Sequence, residues 1–211
     1  MALDVEQQEQ LSAFKAWIEE YGNWILGVSL LVAALAAGNA GWRWYSQREA
    51  AAAAAVYDQF AEANANKDAA KARDLAAALT QQHASSVYAS FAALAQARVS
   101  LQAGDSAAAK AQLHWVIDKS ASKELAALAR VRLAGVLLDE KAYDEGLALL
   151  AADVPSGLAG EVADRRGDLL LAQGKKAEAR AAYAKALEQL AAQNPLRGVV
   201  QSKLDALPPA S

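Results

Sequence analysis

Between Trp24 and Trp44 the chain reads WILGVSLLVAALAAGNAGWRW, and no other stretch limits its folding as much. From Tyr21 to Trp42 the tyrosine phenol is the only ionisable side chain. A helix needs about 20 apolar residues to cross hydrocarbon, and Trp24 and Trp42 stand ~27 Å apart along a helix. Tyr21, Trp44 and Tyr45 add rings at either end, the aromatic belts expected where a spanning helix meets its two water interfaces. A soluble core helix has no need of tryptophan at both ends. The competing reading is a secretory signal, for which the small residues around Ala34 to Gly38 could mimic a cleavage site. The leading segment is acidic, however, with Asp4, Glu6, Glu9, Glu19 and Glu20 against Lys15 alone, whereas a signal opens on a positive region. The expectation is an uncleaved anchor over 21–42 behind a short acidic tail over 1–20.

Lys and Arg on the two sides of the span vote weakly on orientation. Lys15 precedes it and Arg43 and Arg48 follow, which leans toward a cytoplasmic C-terminal domain, although large downstream domains cross largely regardless of charge. Leu11, Phe14, Trp17, Ile18 and Tyr21 form one helical stripe. It reads either as a short helix at the bilayer surface or as the first turns of a longer helix feeding the span. Inside the span, Ser29, Ala33, Ala37 and Gly41 recur every fourth residue, a spacing that lets two membrane helices approach closely. An alanine-rich chain also produces such a stripe by composition alone.

About a quarter of the 211 residues are alanine, which favours helix. Beyond Ser46 only three breaks interrupt the helical periodicity: Asn64 to Asp68, the HASS around His83, and Pro155 to Gly157. The fold class is therefore all-α. Ala97, Gly104, Ala109 and Leu113 are echoed at the same offsets by Ala134, Lys141, Gly146 and Leu150, then by Gly167, Gly174, Ala179 and Tyr183. These displacements bracket the roughly 34-residue tetratricopeptide period. The third copy, GDLLLAQGKKAEARAAYAKAL, resembles the tetratricopeptide consensus at Gly167, Leu170, Gly174, Ala179, Tyr183 and Ala186. The other two are degenerate: Ser100 stands where a large residue is expected, and Lys141 where the turn glycine is expected. A TPR-like α-solenoid over 43–211 follows, with a capping hairpin at 46–82 and repeats near 87–119, 124–152 and 160–191. A closing helix at 195–207 would have Asn194 as its N-cap and Pro195 in its first turn. One hairpin cannot bury its apolar face alone, so neighbours must stack.

Nothing in the sequence assembles chemistry. There is no cysteine, and the two histidines, His83 and His114, lie in no ligand or triad spacing. No phosphate-cradling glycine loop is present, so neither cofactor nor small-molecule substrate is expected. With 21 Lys and Arg against 24 Asp and Glu, no basic surplus announces a nucleic-acid partner. What remains is a binding face. In TPR proteins the first helix of each pair lines the concave side. That pattern puts Phe91, Leu94, Arg98 and Leu101, then Leu128, Val131 and Leu138, then Glu161, Asp164 and Asp168 along it. The face would be apolar over two repeats and acidic at the third, without the Lys, Asn and Arg cluster by which co-chaperone TPR domains clamp a carboxylate. Alternatively, Phe91, Leu94 and Leu128 pack against the capping hairpin and leave no open groove.

The whole arrangement resembles the YfgM family, the ancillary subunits of the bacterial SecYEG translocon. The likeness is carried by GWRWYSQ at 41–47, VYASFAALAQARVSLQAGD at 87–105 and LARVRLAGVLLDEKAYDEGLALL at 128–150. It is strongest in VADRRGDLLLAQGKKAEARAAY at 162–183. The resemblance implies a single-pass protein of the bacterial inner membrane, with a cytoplasmic tail and a periplasmic TPR-like domain. Its implied partners are the SecYEG translocon, the lipid bilayer and a PpiD-like periplasmic chaperone, contacted by binding without turnover. On orientation it overrides the weak charge vote, and Arg43 and Arg48 would then sit on the outer face. A generic envelope assembly or division scaffold, built from the same repeats but not tied to Sec, is the alternative.

Overall fold

The computed structural model describes residues 2–208; the side chains of residues 2–8, with Asp4 and Glu6 of the expected acidic tail, lie outside the described residues. Helices α1 (Ala2–Ala65), α2 (Ala69–Gln82), α3 (Val87–Gln102), α4 (Ser106–Lys119) and α5 (Lys123–Asp139) are followed by α6 (Tyr143–Leu149), α7 (Ala159–Ala172), α8 (Lys176–Gln189) and α9 (Leu196–Asp205). A single 3₁₀ turn, Ser156–Leu158, precedes α7, and no strand occurs among the described residues. Two compact units divide the chain, Met1–Ala51 and Ala52–Ser211.

In the first unit α1 carries a stretch long and apolar enough to cross a membrane. Its large apolar side chains from Leu11 to Tyr45 are exposed, as they must be if lipid is their solvent. The stripe from Leu11 to Tyr21 belongs to the same continuous helix as the span and does not form a separate element. Aromatic rings cluster at both ends of the run. Phe14 stacks on Trp17 at 6.3 Å between centroids, Trp17 meets Tyr21 at 6.1 Å, and Trp42 meets Tyr45 at 6.3 Å.

The second unit is a stack of helical hairpins, each closed by the same turn. At Gly104 the N–H bonds back to the Leu101 carbonyl and the following Asp105 N–H to that of Ser100. Lys67, Lys141 and Gly174, each with its successor, repeat the pattern. This is a Schellman closure, whose C′ residue takes a left-handed conformation. All four residues have positive φ: 59° at Lys67, 78° at Gly104, 62° at Lys141 and 80° at Gly174. The next residue caps the returning helix where it can. Asp68 accepts from Lys71 N–H and Asp105 from Ala108 N–H, whereas Ala142 and Lys175 offer no side-chain cap.

The turn at Lys67 exposes a copy of the repeat that the sequence comparison does not separate from the cap. Counting from it by the same offsets gives Phe60, Lys67, Ala72 and Ala76. Phe60, Ala72 and Ala76 are all buried in the core of the first hairpin. In the later copies a small residue on the first helix (Ala97, Ala134, Gly167) goes with a large one on the second (Leu113, Leu150, Tyr183), and all six are buried. In the first copy the sizes are exchanged, with Phe60 large and Ala76 small. What each copy keeps is one large and one small buried residue.

Two departures from regular stacking shape the far end. Helix α6 has 7 residues where α2, α4 and α8 have 14. The missing turns are replaced by residues 151–155, which run beside cavities of about 670 and 510 Å³. At the C-terminus α9 and the residues just after it cover the last hairpin, burying Val200 and Leu207 among Leu170, Ala182 and Tyr183. Asn194 Oδ1 accepts the Leu196 N–H at 2.9 Å, and Arg197 donates to the Leu187 and Leu190 carbonyls at the end of α8.

Candidate partner-binding face

The first helices of successive hairpins, α3, α5 and α7, build the face on which the sequence places partner contacts. Its residues have separate fates. Phe91 keeps 39% of its surface and sets its ring 6.2 Å from that of Tyr57, which also meets Tyr88 and Phe60. Leu94 is buried in the core between hairpins, where Leu128 packs at its edge. Val131 and Leu138 pack against the smaller cluster around Ala134, Leu150 and Leu169. The capping hairpin thus contacts Phe91 without covering it, while Leu94 is inaccessible.

At the third repeat the acidic residues turn inward. Asp164 is 5% exposed, and its carboxylate accepts from Lys203 Nζ of α9 at 2.8 Å. Asp168 accepts from the same ammonium at 2.7 Å, from the Tyr183 hydroxyl at 2.8 Å and from Arg165 at 3.2 Å. Burial is the largest influence on Asp164 and raises its pKa against the opposing bond from Lys203. Glu161 accepts from Asn194 at 3.3 Å. Asp164 and Asp168 therefore fasten the closing helix, and the expected acidic end of the face is neutralised from within.

The open part of the face has the opposite sign. Arg98 and Leu101 of α3, Arg132, Gly135 and Asp139 of α5, and Arg165 of α7 line a cavity of about 400 Å³, with Val136 and Leu113 at its apolar wall. The Arg165 guanidinium lies against Gly135, where a Cβ would sit 3.5 Å from its Cζ. Sequence reading finds Arg98 but misses Arg132, and it sets Arg165 aside as a contact for an acidic partner because Asp164 and Asp168 flank it. Their signal is positional, since each stands two residues before the small residue of its repeat, Ala134 or Gly167.

Ser29, Ala33, Ala37 and Gly41 are exposed on α1, and a Cβ at Gly41 would meet nothing. Among the described residues no three His, Asp or Glu side chains converge as a metal site requires.

The profile of the tetratricopeptide repeat-like domain matches residues 15–209, which includes the apolar part of α1 as well as the hairpins. Over 213 aligned residues the chain is 34% identical to a Neisseria gonorrhoeae protein named ancillary SecYEG translocon subunit, covering 98% of this chain and 100% of that one. Proteins of the same name from Haemophilus influenzae and Escherichia coli K12 are 26% and 29% identical over 189 residues each. The chain belongs to the YfgM family. In this YfgM-family chain the likeness runs through anchor and repeats together. One N-terminal helix able to span, followed by TPR-like hairpins, fits a single-pass inner-membrane protein. No solved structure matches the chain significantly.

Proposed function

We propose that the chain is a non-enzymatic ancillary subunit of the SecYEG translocon, held in the inner membrane by α1 and working through protein binding by its helical repeats. The observation that carries this is the likeness to the Neisseria gonorrhoeae subunit, which spans that relative's whole length. The physical logic is one of concentration. A tether confines the repeat domain to a thin layer beside the membrane, where local concentrations reach roughly the millimolar range and weak contacts become effective. The repeat domain lies on the periplasmic side and the tail in the cytoplasm, so that emerging chains pass to periplasmic chaperones, a PpiD-like protein among them. Arg48 then stands at the outer interface, with its guanidinium 4.8 Å from the Trp44 ring centroid. That stacking suits an amphipathic side chain at a headgroup boundary.

Site-specific photocrosslinkers placed at Trp24 and Trp42 in native membranes test the association. Adducts with the translocon are expected, and recovery of unrelated envelope proteins alone would overturn it. Protease treatment of spheroplasts tests orientation separately, with loss of the repeat domain and survival of the tail as the expected pattern.

A further inference from the structure

Three arginines from three consecutive first helices meet at one cavity, and no carboxylate answers two of them. Arg98 and Arg132 are exposed and form no ion pair among the described residues. Arg165 is partly held by Asp168, yet its Nε is buried without a hydrogen-bond partner. Asp139 is the one acidic side chain lining the cavity. Two guanidiniums near each other repel unless an anion sits between them, and the Arg132 pKa is lowered by partial desolvation, although much of the side chain stays exposed, and by the charge of Arg98.

We propose that this cavity on α3, α5 and α7 is a receptor for an acidic segment of a partner polypeptide, whose carboxylates are held by Arg98, Arg132 and Arg165 while adjoining apolar side chains rest on Leu101 and Val136. Charge complementarity argues for the occupant. The planar guanidinium fork takes carboxylates bidentately, which an ammonium cannot do. At about 400 Å³ the cavity has room for a few side chains and not for a folded surface. A polyanion is disfavoured, because the chain as a whole carries a net charge of −3. The spacing has a structural origin. Arg132 and Arg165 occupy one repeat position in neighbouring hairpins and Arg98 follows the small residue of the hairpin before, so stacking itself brings the three together.

The inference goes beyond the translocon reading and does not need it. The full chain in phosphatidylcholine nanodiscs is titrated against fluorescein-labelled Ala-Leu-Asp-Leu-Glu-Glu and against its amide counterpart Ala-Leu-Asn-Leu-Gln-Gln, both with amidated C-termini, by fluorescence anisotropy. The acidic peptide should bind at least about tenfold more tightly, with affinity falling as salt is added. The double variants Arg98→Glu/Arg132→Glu and Arg98→Gln/Arg132→Gln should each remove that preference. The glutamine pair serves where charge reversal impairs folding. Equal affinity for the two peptides, an acid preference that survives in both variants, or no binding at about 1 mM peptide would overturn the proposal. Vesicles containing phosphatidylglycerol form a further arm. Loss of vesicle binding in the variants without a peptide preference in the parent would assign the arginines to lipid and overturn it too. Translocon crosslinking that persists in the glutamine variant while the peptide preference is absent from the parent sinks this inference alone.

Discussion

Gly167 and Tyr183 share one space: a Cβ on Gly167 would lie 2.6 Å from the Tyr183 Cδ1. The ring cannot withdraw, since it is 1% exposed and its hydroxyl donates to Asp168 at 2.8 Å. Gly167→Ala is therefore expected to lower unfolding free energy by about 2–3 kcal/mol through overpacking. Tyr183→Leu should cost about 3 kcal/mol through a cavity and a lost hydrogen bond. Because both act on the same contact, the double variant should be less destabilised than the two losses added, by about 1 kcal/mol or more. Chemical denaturation of the four proteins measures the coupling, and strict additivity would deny the contact.

How much of this was readable beforehand depends on which residues carry the signal. Gly167, Gly174, Ala179 and Tyr183 announce a hairpin because each is the residue type its position demands. The capping hairpin expected at 46–82 hides its likeness to the repeats because Lys67 occupies a turn that glycine would mark, and because Phe60 and Ala76 exchange sizes. The partner face was the least legible. Leu94 and Asp164 have the periodicity of a surface stripe, but whether a neighbour covers them is decided by α4, α5 and α9, which local sequence does not reveal. Lys203 stands 35 residues from Asp168, and no spacing rule joins them.

Lys141 offers a stabilising change. A side chain in the left-handed region costs about 1–2 kcal/mol that glycine avoids, and glycine gives part of this back through a freer unfolded chain. Lys141→Gly should raise stability by about 0.5–1 kcal/mol, and Lys67→Gly, in the equivalent turn, by a similar amount. Thermal unfolding would register each as a few degrees. Lys141→Val should move the other way, since a β-branched side chain is worse in that region than lysine.

Lys203 neutralises two carboxylates at once, so its removal should expose a pH dependence. Asp164 and Asp168 would be left facing each other under α9 without the ammonium. Lys203→Met is expected to cost about 2–3 kcal/mol near neutral pH, below the value for a fully buried pair because Lys203 is partly exposed. The Asp164 pKa already lies above its ordinary value through burial, and loss of Lys203 raises it further. A raised folded-state pKa means stability that is full below the unfolded value and is lost as pH rises through the folded one. The deficit of the variant should therefore shrink on acidification through the raised Asp164 range and be largest above it. A deficit independent of pH would show that Lys203 acts through packing alone.

The exchange of sizes between Phe60 and Ala76 can be reversed. Phe60 is 1% exposed and Ala76 5%. Phe60→Ala alone removes a fully buried ring and should cost about 3–4 kcal/mol. Ala76→Leu alone inserts volume beside an intact ring and should cost about 1–3 kcal/mol. Together they install the small-then-large order of Ala97 with Leu113, so the double variant should recover at least about 1 kcal/mol of the summed loss. Tyr57, whose ring lies 5.7 Å from that of Phe60, would limit the recovery by losing its aromatic neighbour. Denaturant midpoints for the four proteins decide it. No recovery would mean that Phe60 serves the aromatic group around Tyr57 rather than the volume of its own hairpin, and the first copy would then be a repeat in its turn geometry only.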